Sequence, residues 1–152
     1  MPKINTNPED ISSYANFQEI IQKEVDLDVS LDFEKKQMIG TMEIKYEVLS
    51  SEIQKIILDL KGPEIVSVNY VKKNEKNEEL KLLSLSYEIY IENEHKDSLG
   101  TPLIISLENI KNNCKDEYEK ILQSKELILC IKFITTEKCT GIQFLVKEQT
   151  YT

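Results

Sequence analysis

VDLDVSLDFEKKQMIGTMEIKYEV, residues Val25 to Val48, is the stretch whose reading decides the fold. In its first nine residues Val25, Leu27, Val29, Leu31 and Phe33 alternate with Asp26, Asp28, Ser30 and Asp32. A period of two places successive side chains on opposite faces of a strand, so this segment reads as half-buried, with one apolar and one acidic face. Met38, Met42, Ile44, Tyr46 and Val48 then fall on one side of a second strand, with Thr41, Glu43, Lys45 and Glu47 on the other. Glu34 to Met38 carry the turn, which makes the pair an antiparallel hairpin. Gly40 lies inside the second strand, where a missing side chain marks a bulge or a close backbone approach.

The same period continues outward. IQKIILDL (Ile53 to Leu60) stops at Lys61-Gly62-Pro63, a turn signal. EIVSVNYV (Glu64 to Val71) follows, and then a charged tip between Lys72 and Glu79 that reads as a solvated loop. LKLLSLSYEIYI (Leu80 to Ile91) reads as one long strand with Leu83, Leu85, Tyr87, Ile89 and Ile91 in its inner row. LIISL comes next, then ELILCIKFITT (Glu126 to Thr136), the most apolar segment and hence a central strand, and last a short run IQFLV. Helix is scarce: Ser13 to Glu24 has Tyr14, Phe17 and Ile21 at helical spacing, and NCKDEYEKILQSKE is the other candidate. The expectation is an all-β chain, a single domain of about eight strands in saddle- or sandwich-like sheets, mixed or antiparallel, behind a flexible N-terminus at 1–12.

Composition removes several kinds of function. The 152 residues are enough for one domain with a real core. Nineteen basic against 27 acidic residues give a net charge of -8, a poor field for phosphate backbones or anionic membranes. All 19 basic residues are lysine, so no bidentate guanidinium fork is available. Neither nucleic acid nor a membrane is therefore an expected partner. No stretch approaches 18 apolar residues, and MPKINTNPEDISS carries no secretory pattern. Three cysteines, no C-x-x-C pair and no Asn-x-Ser/Thr acceptor point to a reduced, cytoplasmic setting.

The residues that could carry chemistry are few. His95 is the single histidine, whereas a zinc-protease helix of the H-E-x-x-H type needs two. It sits in IENEHKDSLG, which reads as a solvated loop. Asp26, Asp28 and Asp32 lie about 6.5–7 Å apart at each two-residue step. A straight strand spreads such carboxylates instead of closing them on one cation, so the row reads as a solvated face that discourages edge pairing. Cys130 falls in an apolar run and reads as core, Cys139 lacks a histidine partner in TEKCTGIQF, and Cys114 belongs to the second helical candidate. No catalytic, substrate-binding or metal-ligating residue is assigned to this chain.

As a whole, the sequence resembles the opening of the leukotriene-A(4) hydrolase branch of the M-one family of zinc aminopeptidases. The resemblance starts in SYANFQEIIQKEVDLDVSLDFEKKQMIGTMEIKYEV, where the branch has a strand of D-L-x-L-x-V-D-F type, a basic turn and a strand beginning x-G-T. It continues in KIILDLKGPEIVSV and SLGTPLIISL and closes in GIQFLVKEQT, similar to A-L-Q-W-L-x-P-E-Q-T. Phe144 and Lys147 depart from that last pattern, and Lys111 to Ser124 reads as an insertion into a short connection. The resemblance implies that 13–152 is the N-terminal β domain of a longer aminopeptidase, whose catalytic domain in cis would carry zinc and act on peptide N-termini. No cofactor is expected in this chain itself. Its part would be to wall the active-site cleft, with a former interface exposed near Ile142 to Val146, and the end at KEQTYT reads as a cut within a longer chain. The alternative is a stand-alone β-sandwich protein-interaction module.

Overall fold

The computed structural model describes residues 13–73, 79–90, 100–145 and 147–149. Alternation over the decisive stretch produces the hairpin: β1 (Ile20–Asp32) runs antiparallel to β2 (Gln37–Val48), with Val25 opposite Ile44 and Leu31 opposite Met38. Its turn uses Lys36 at φ 51°, and the Lys35 amide donates to Asp32 Oδ1 at 2.9 Å. β1 starts at Ile20, so the helix expected over Ser13 to Glu24 reduces to one turn in which the Glu19 and Ile20 amides donate to the Asn16 carbonyl. Three apolar residues at helical spacing lose to a pairing register that reaches back to Ile20 opposite Val48.

Six further strands complete two antiparallel sheets: β3 (Lys55–Leu60), β4 (Glu64–Lys73), β5 (Glu79–Ser84), β6 (Tyr87–Ile89), β7 (Thr101–Ser106) and β8 (Glu126–Ile134). The larger sheet has the order β1-β2-β8-β4-β5 and the smaller β3-β7-β6. β8 sits at the centre of the larger sheet as its apolar run predicts, with Leu129 fully buried between Ile44 and Tyr70. The fold is all-β, as expected.

Two strand assignments change. The strand expected over Leu80 to Ile91 is two strands, β5 in the larger sheet and β6 in the smaller, and Ile91 lies outside the described residues. The chain crosses between sheets at Leu85, whose amide donates to Val68 O, while the next carbonyl, Ser86 O, accepts from Ser106 N. An unbroken alternation conceals that switch, because Leu85 and Tyr87 face one shared core from either layer. Of IQFLV, residues 142–145 are irregular and form no strand; a 3₁₀ turn, Lys147–Gln149, lies beyond.

The layers close on one core. Ile44, Tyr46, Val68, Leu129 and Ile131 of the larger sheet meet Ile56, Leu103 and Ile105 of the smaller. Tyr87 Oη ties the layers by donating to Ile65 O at 2.9 Å. The link from β7 to β8 holds two helices, α1 (Glu108–Asn113) and α2 (Lys115–Ser124). Tyr118 and Ile121 bury one face of α2, and Tyr118 Oη donates to Ile53 O at 2.8 Å. Gly40 marks a close approach, not a bulge: a Cβ there would lie 2.4 Å from Phe133 Cζ. The ladder irregularities fall instead at Gln22/Glu24, Ile65/Ser67 and Lys72/Lys73.

Candidate functional site

Of the surface concavities that adjoin the larger sheet, two contrast in character. One, of about 480 Å³, lies beside α2 and is lined by Glu24, Lys45, Lys72, Glu117, Lys120 and Glu126 among others. Its lysines are paired with carboxylates. Lys72 and Lys120 both reach Glu117, the latter at 3.3 Å, and Lys45 meets Glu126 at 3.0 Å. Lys72 therefore belongs to an ion-pair cluster at the end of β4, not to the solvated tip expected from sequence. Burial would raise the Glu117 carboxyl, but the hydrogen bonds from Lys72 and Lys120 hold it below the ordinary range. Lys45 is held up by its hydrogen bond to Glu126 and by that carboxylate's charge. Tyr70 is pushed up to about 12 by burial and by the Glu117 charge. Glu117 and Lys45 are thus held charged and Tyr70 neutral, so the shifts here mark charge pairing and move none of the three towards pH 7.

The second concavity is apolar, about 460 Å³, and opens where the β1–β2 edge meets β3; Phe17, Ile20, Met42, Tyr46 and Ile57 line it. Alongside it the N-terminal segment covers the free edge of β3. The Asn16 side chain donates to Lys55 O at 3.0 Å and accepts from Ile57 N at 2.8 Å, taking the place of a neighbouring strand. Asp59 anchors the same segment through Ser13 Oγ at 2.6 Å and Tyr14 N at 2.9 Å.

The apolar face of β1 corrects the half-buried reading. Val25, Leu27, Val29 and Leu31 are between 39% and 55% exposed, and Phe33 is 74% exposed. They share a face with Ile44 and Met42, but burial stops at β2; of β1 only Ile20 joins the core. Phe33 stacks edge-on against Phe144 with ring centroids 6.0 Å apart, and Leu145 beside it is 57% exposed. The exposed surface expected near Ile142 to Val146 is thus one end of a longer apolar strip; Val146 lies outside the described residues. Alternation shows which residues share a face, but not whether a second layer reaches that far, so sequence reading missed the strip.

The sequence candidates do not converge. Asp26 and Asp28 lie on the exposed outer face opposite Glu43 and Thr41. Asp32 closes the hairpin turn, and the Lys35 amide holds its carboxyl below the ordinary value. Cys130 is buried on β8, Cys114 heads α2, and Cys139 Sγ accepts the Thr136 amide at 3.4 Å; none of the three is in a disulfide. His95 lies outside the described residues. Among the described residues, no group of three or more His, Cys, Asp or Glu could hold a metal ion, and no helix is long and apolar enough to cross a membrane.

Comparison with known proteins gives a consistent picture. No protein-family profile matches the chain. Leucine aminopeptidase 2-2 of Meyerozyma guilliermondii is 31% identical over 144 residues, which is 95% of this chain and 18% of that protein. The protein of the same name in Scheffersomyces stipitis is 32% identical over 144 residues, with the same coverage. Among solved structures, native yeast leukotriene-A(4) hydrolase superposes with a TM-score of 0.62 at 22% identity, over 91% of this chain and 18% of that one. The bestatin complex of the yeast enzyme gives 0.61 at 21%, over 92% and 18%. The chain therefore spans under one fifth of the length of the relatives it matches.

Proposed function

We propose that the chain belongs with the N-terminal domain of the M-one aminopeptidases, in the leukotriene-A(4) hydrolase branch, and works as the non-catalytic N-terminal domain, residues 13–152, of a zinc metallo-aminopeptidase. One observation carries the reading: identity above 30% runs through 95% of the chain, yet spans only 18% of enzymes named for aminopeptidase activity. The domain packs in cis on a catalytic domain and walls the cleft that admits peptide N-termini. Three cysteines outside any disulfide support a cytoplasmic setting.

The described residues of this chain do not fit a zinc ion. The aspartates of β1 follow a straight exposed strand, and Cys114, Cys130 and Cys139 are spread over a helix start, a strand and a turn. In this proposal the metal chemistry belongs to the catalytic domain, and this chain contributes a wall and an interface.

The test is the mass of the native polypeptide, read with an antibody against this chain. A band several times heavier than 17.7 kDa, with chelator-sensitive cleavage of amino-acid anilides in the captured material, is the expected result. A native band at 17.7 kDa would sink the reading in favour of a stand-alone interaction module. So would stoichiometric zinc binding and anilide cleavage by the isolated 152 residues.

A further inference from the structure

The two sheet edges nearest the N-terminal segment are treated differently. β3 has its outer edge covered by Asn16, with Ser13 and Tyr14 bound to Asp59 alongside. β1 is also an outermost strand, and from Ile21 to Asp32 its backbone pairs only with β2 among the described residues. Exposed edges are ordinarily shortened, bulged or covered, because unpaired N–H and C=O groups invite another strand. This one is 13 residues long without glycine or proline, and its irregularity at Gln22/Glu24 leaves Val25 to Asp32 in regular register.

We propose that the free edge of β1 accepts an added strand of alternating apolar and lysine residues, contributed in cis by the larger protein read above, on which this inference rests. Three observations carry it. The row Val25, Leu27, Val29 and Leu31 would gain cross-strand apolar partners on one face. On the other face Glu24, Asp26 and Asp28 present carboxylates two residues apart, to which lysines at the same spacing are complementary. Four fifths of the relatives' length lies outside the matched part, and a tethered strand acts at an effective concentration in the millimolar range. A second copy of this chain fits poorly. Antiparallel pairing of β1 with itself sets Asp28 against Asp28 and Glu24 against Asp32, and like charges directly opposite are destabilising.

The test fuses a strand to this chain through a flexible linker of about 20 residues. One fusion carries Lys-Val repeats and the other Glu-Val repeats, and amide hydrogen exchange is followed across residues 21–32. The Lys-Val fusion is expected to slow exchange at alternate β1 amides by about tenfold relative to the unfused chain, and the Glu-Val fusion to leave it unchanged. Leu27→Lys, at a position already 55% exposed, should abolish the protection while leaving the fold intact. Equal protection in both fusions, or none in either, overturns the proposal. Protection in the unfused chain that grows with protein concentration assigns the edge to a second copy and overturns it too. The parent reading fails separately: a native mass of 17.7 kDa removes the donor of the strand, whereas a heavy native polypeptide with unprotected fusions removes only the strand.

Discussion

Tyr46 gives the sharpest stability prediction. Its side chain is 2% exposed in the core, and among the described residues its hydroxyl meets no hydrogen-bond partner. An unsatisfied buried hydroxyl costs about 1–3 kcal/mol, whereas phenylalanine keeps the ring and its packing. Tyr46→Phe should therefore stabilise the domain by about 1 kcal/mol, which at this length raises Tm by about 2–4 °C. Burial also pushes the Tyr46 phenol well above its ordinary value. The folded state keeps the proton that the unfolded chain releases near pH 10, so stability is complete below that pH and falls as pH rises beyond it. Tyr70 and Tyr118 are raised in the same direction, so removing the Tyr46 hydroxyl should flatten this alkaline loss without abolishing it. Urea unfolding followed by far-UV circular dichroism at pH 7 and at pH 10–11 reads both effects. A variant less stable by about 1 kcal/mol at pH 7, or with an unchanged alkaline slope, would refute the reasoning.

Two further outcomes follow from packing and charge. Gly40→Ala drives a Cβ to within 2.4 Å of Phe133 Cζ and should lower the urea midpoint by an amount equivalent to about 1–3 kcal/mol; in a Phe133→Ala background the same change should cost close to nothing, and equal costs in both would exclude the ring as the cause. Glu117 is held below the ordinary carboxylate value, so it stabilises the fold above that value and the contribution is lost as pH falls through its folded pKa. Lys72→Met brings the folded value back towards the ordinary one, so it should lower Tm near neutral pH and flatten the acid loss, and an acid limb superimposable on wild type would show that the pair carries no net effect.

Much of the fold is legible in the sequence because period-two alternation is a local signal. The β1–β2 hairpin and the central place of β8 follow from residues read in place, whereas Gly40 leaves a bulge and a close approach equally open. The failures share one cause: they depend on where a second layer ends. Leu85 and Tyr87 continue the alternation of Leu83 while the backbone changes sheet, and Ile142 to Leu145 have strand-like composition but no strand neighbour. β1 has the pattern of a half-buried strand and lies beyond the reach of the three-stranded layer. Among the described residues eight strands match the expected count only because the switch at Leu85 offsets the absence of a strand at 142–145. For the site, the aspartates of β1 and the three cysteines lie on separate elements, and His95 lies outside the described residues. The Lys72–Glu117–Lys120 cluster joins residues 45 positions apart, which no local pattern announces.

The central position of β8 has a consequence for the order of events during synthesis. The hairpins β1–β2 and β4–β5 each close within a short length of chain, but they are joined only through β8, which pairs with both. Ribosomes add about 5–20 residues per second. Between Val48 and Glu126 the first hairpin therefore waits on the order of 4–16 seconds for its partner. Through that interval the core faces of two hairpins stand open on the nascent chain, and closure requires contacts far apart in sequence, which fold slowly. Destabilising β8 would thus act first on yield, by prolonging the interval in which nascent chains can pair with one another, before any loss is visible in the stability of the finished domain.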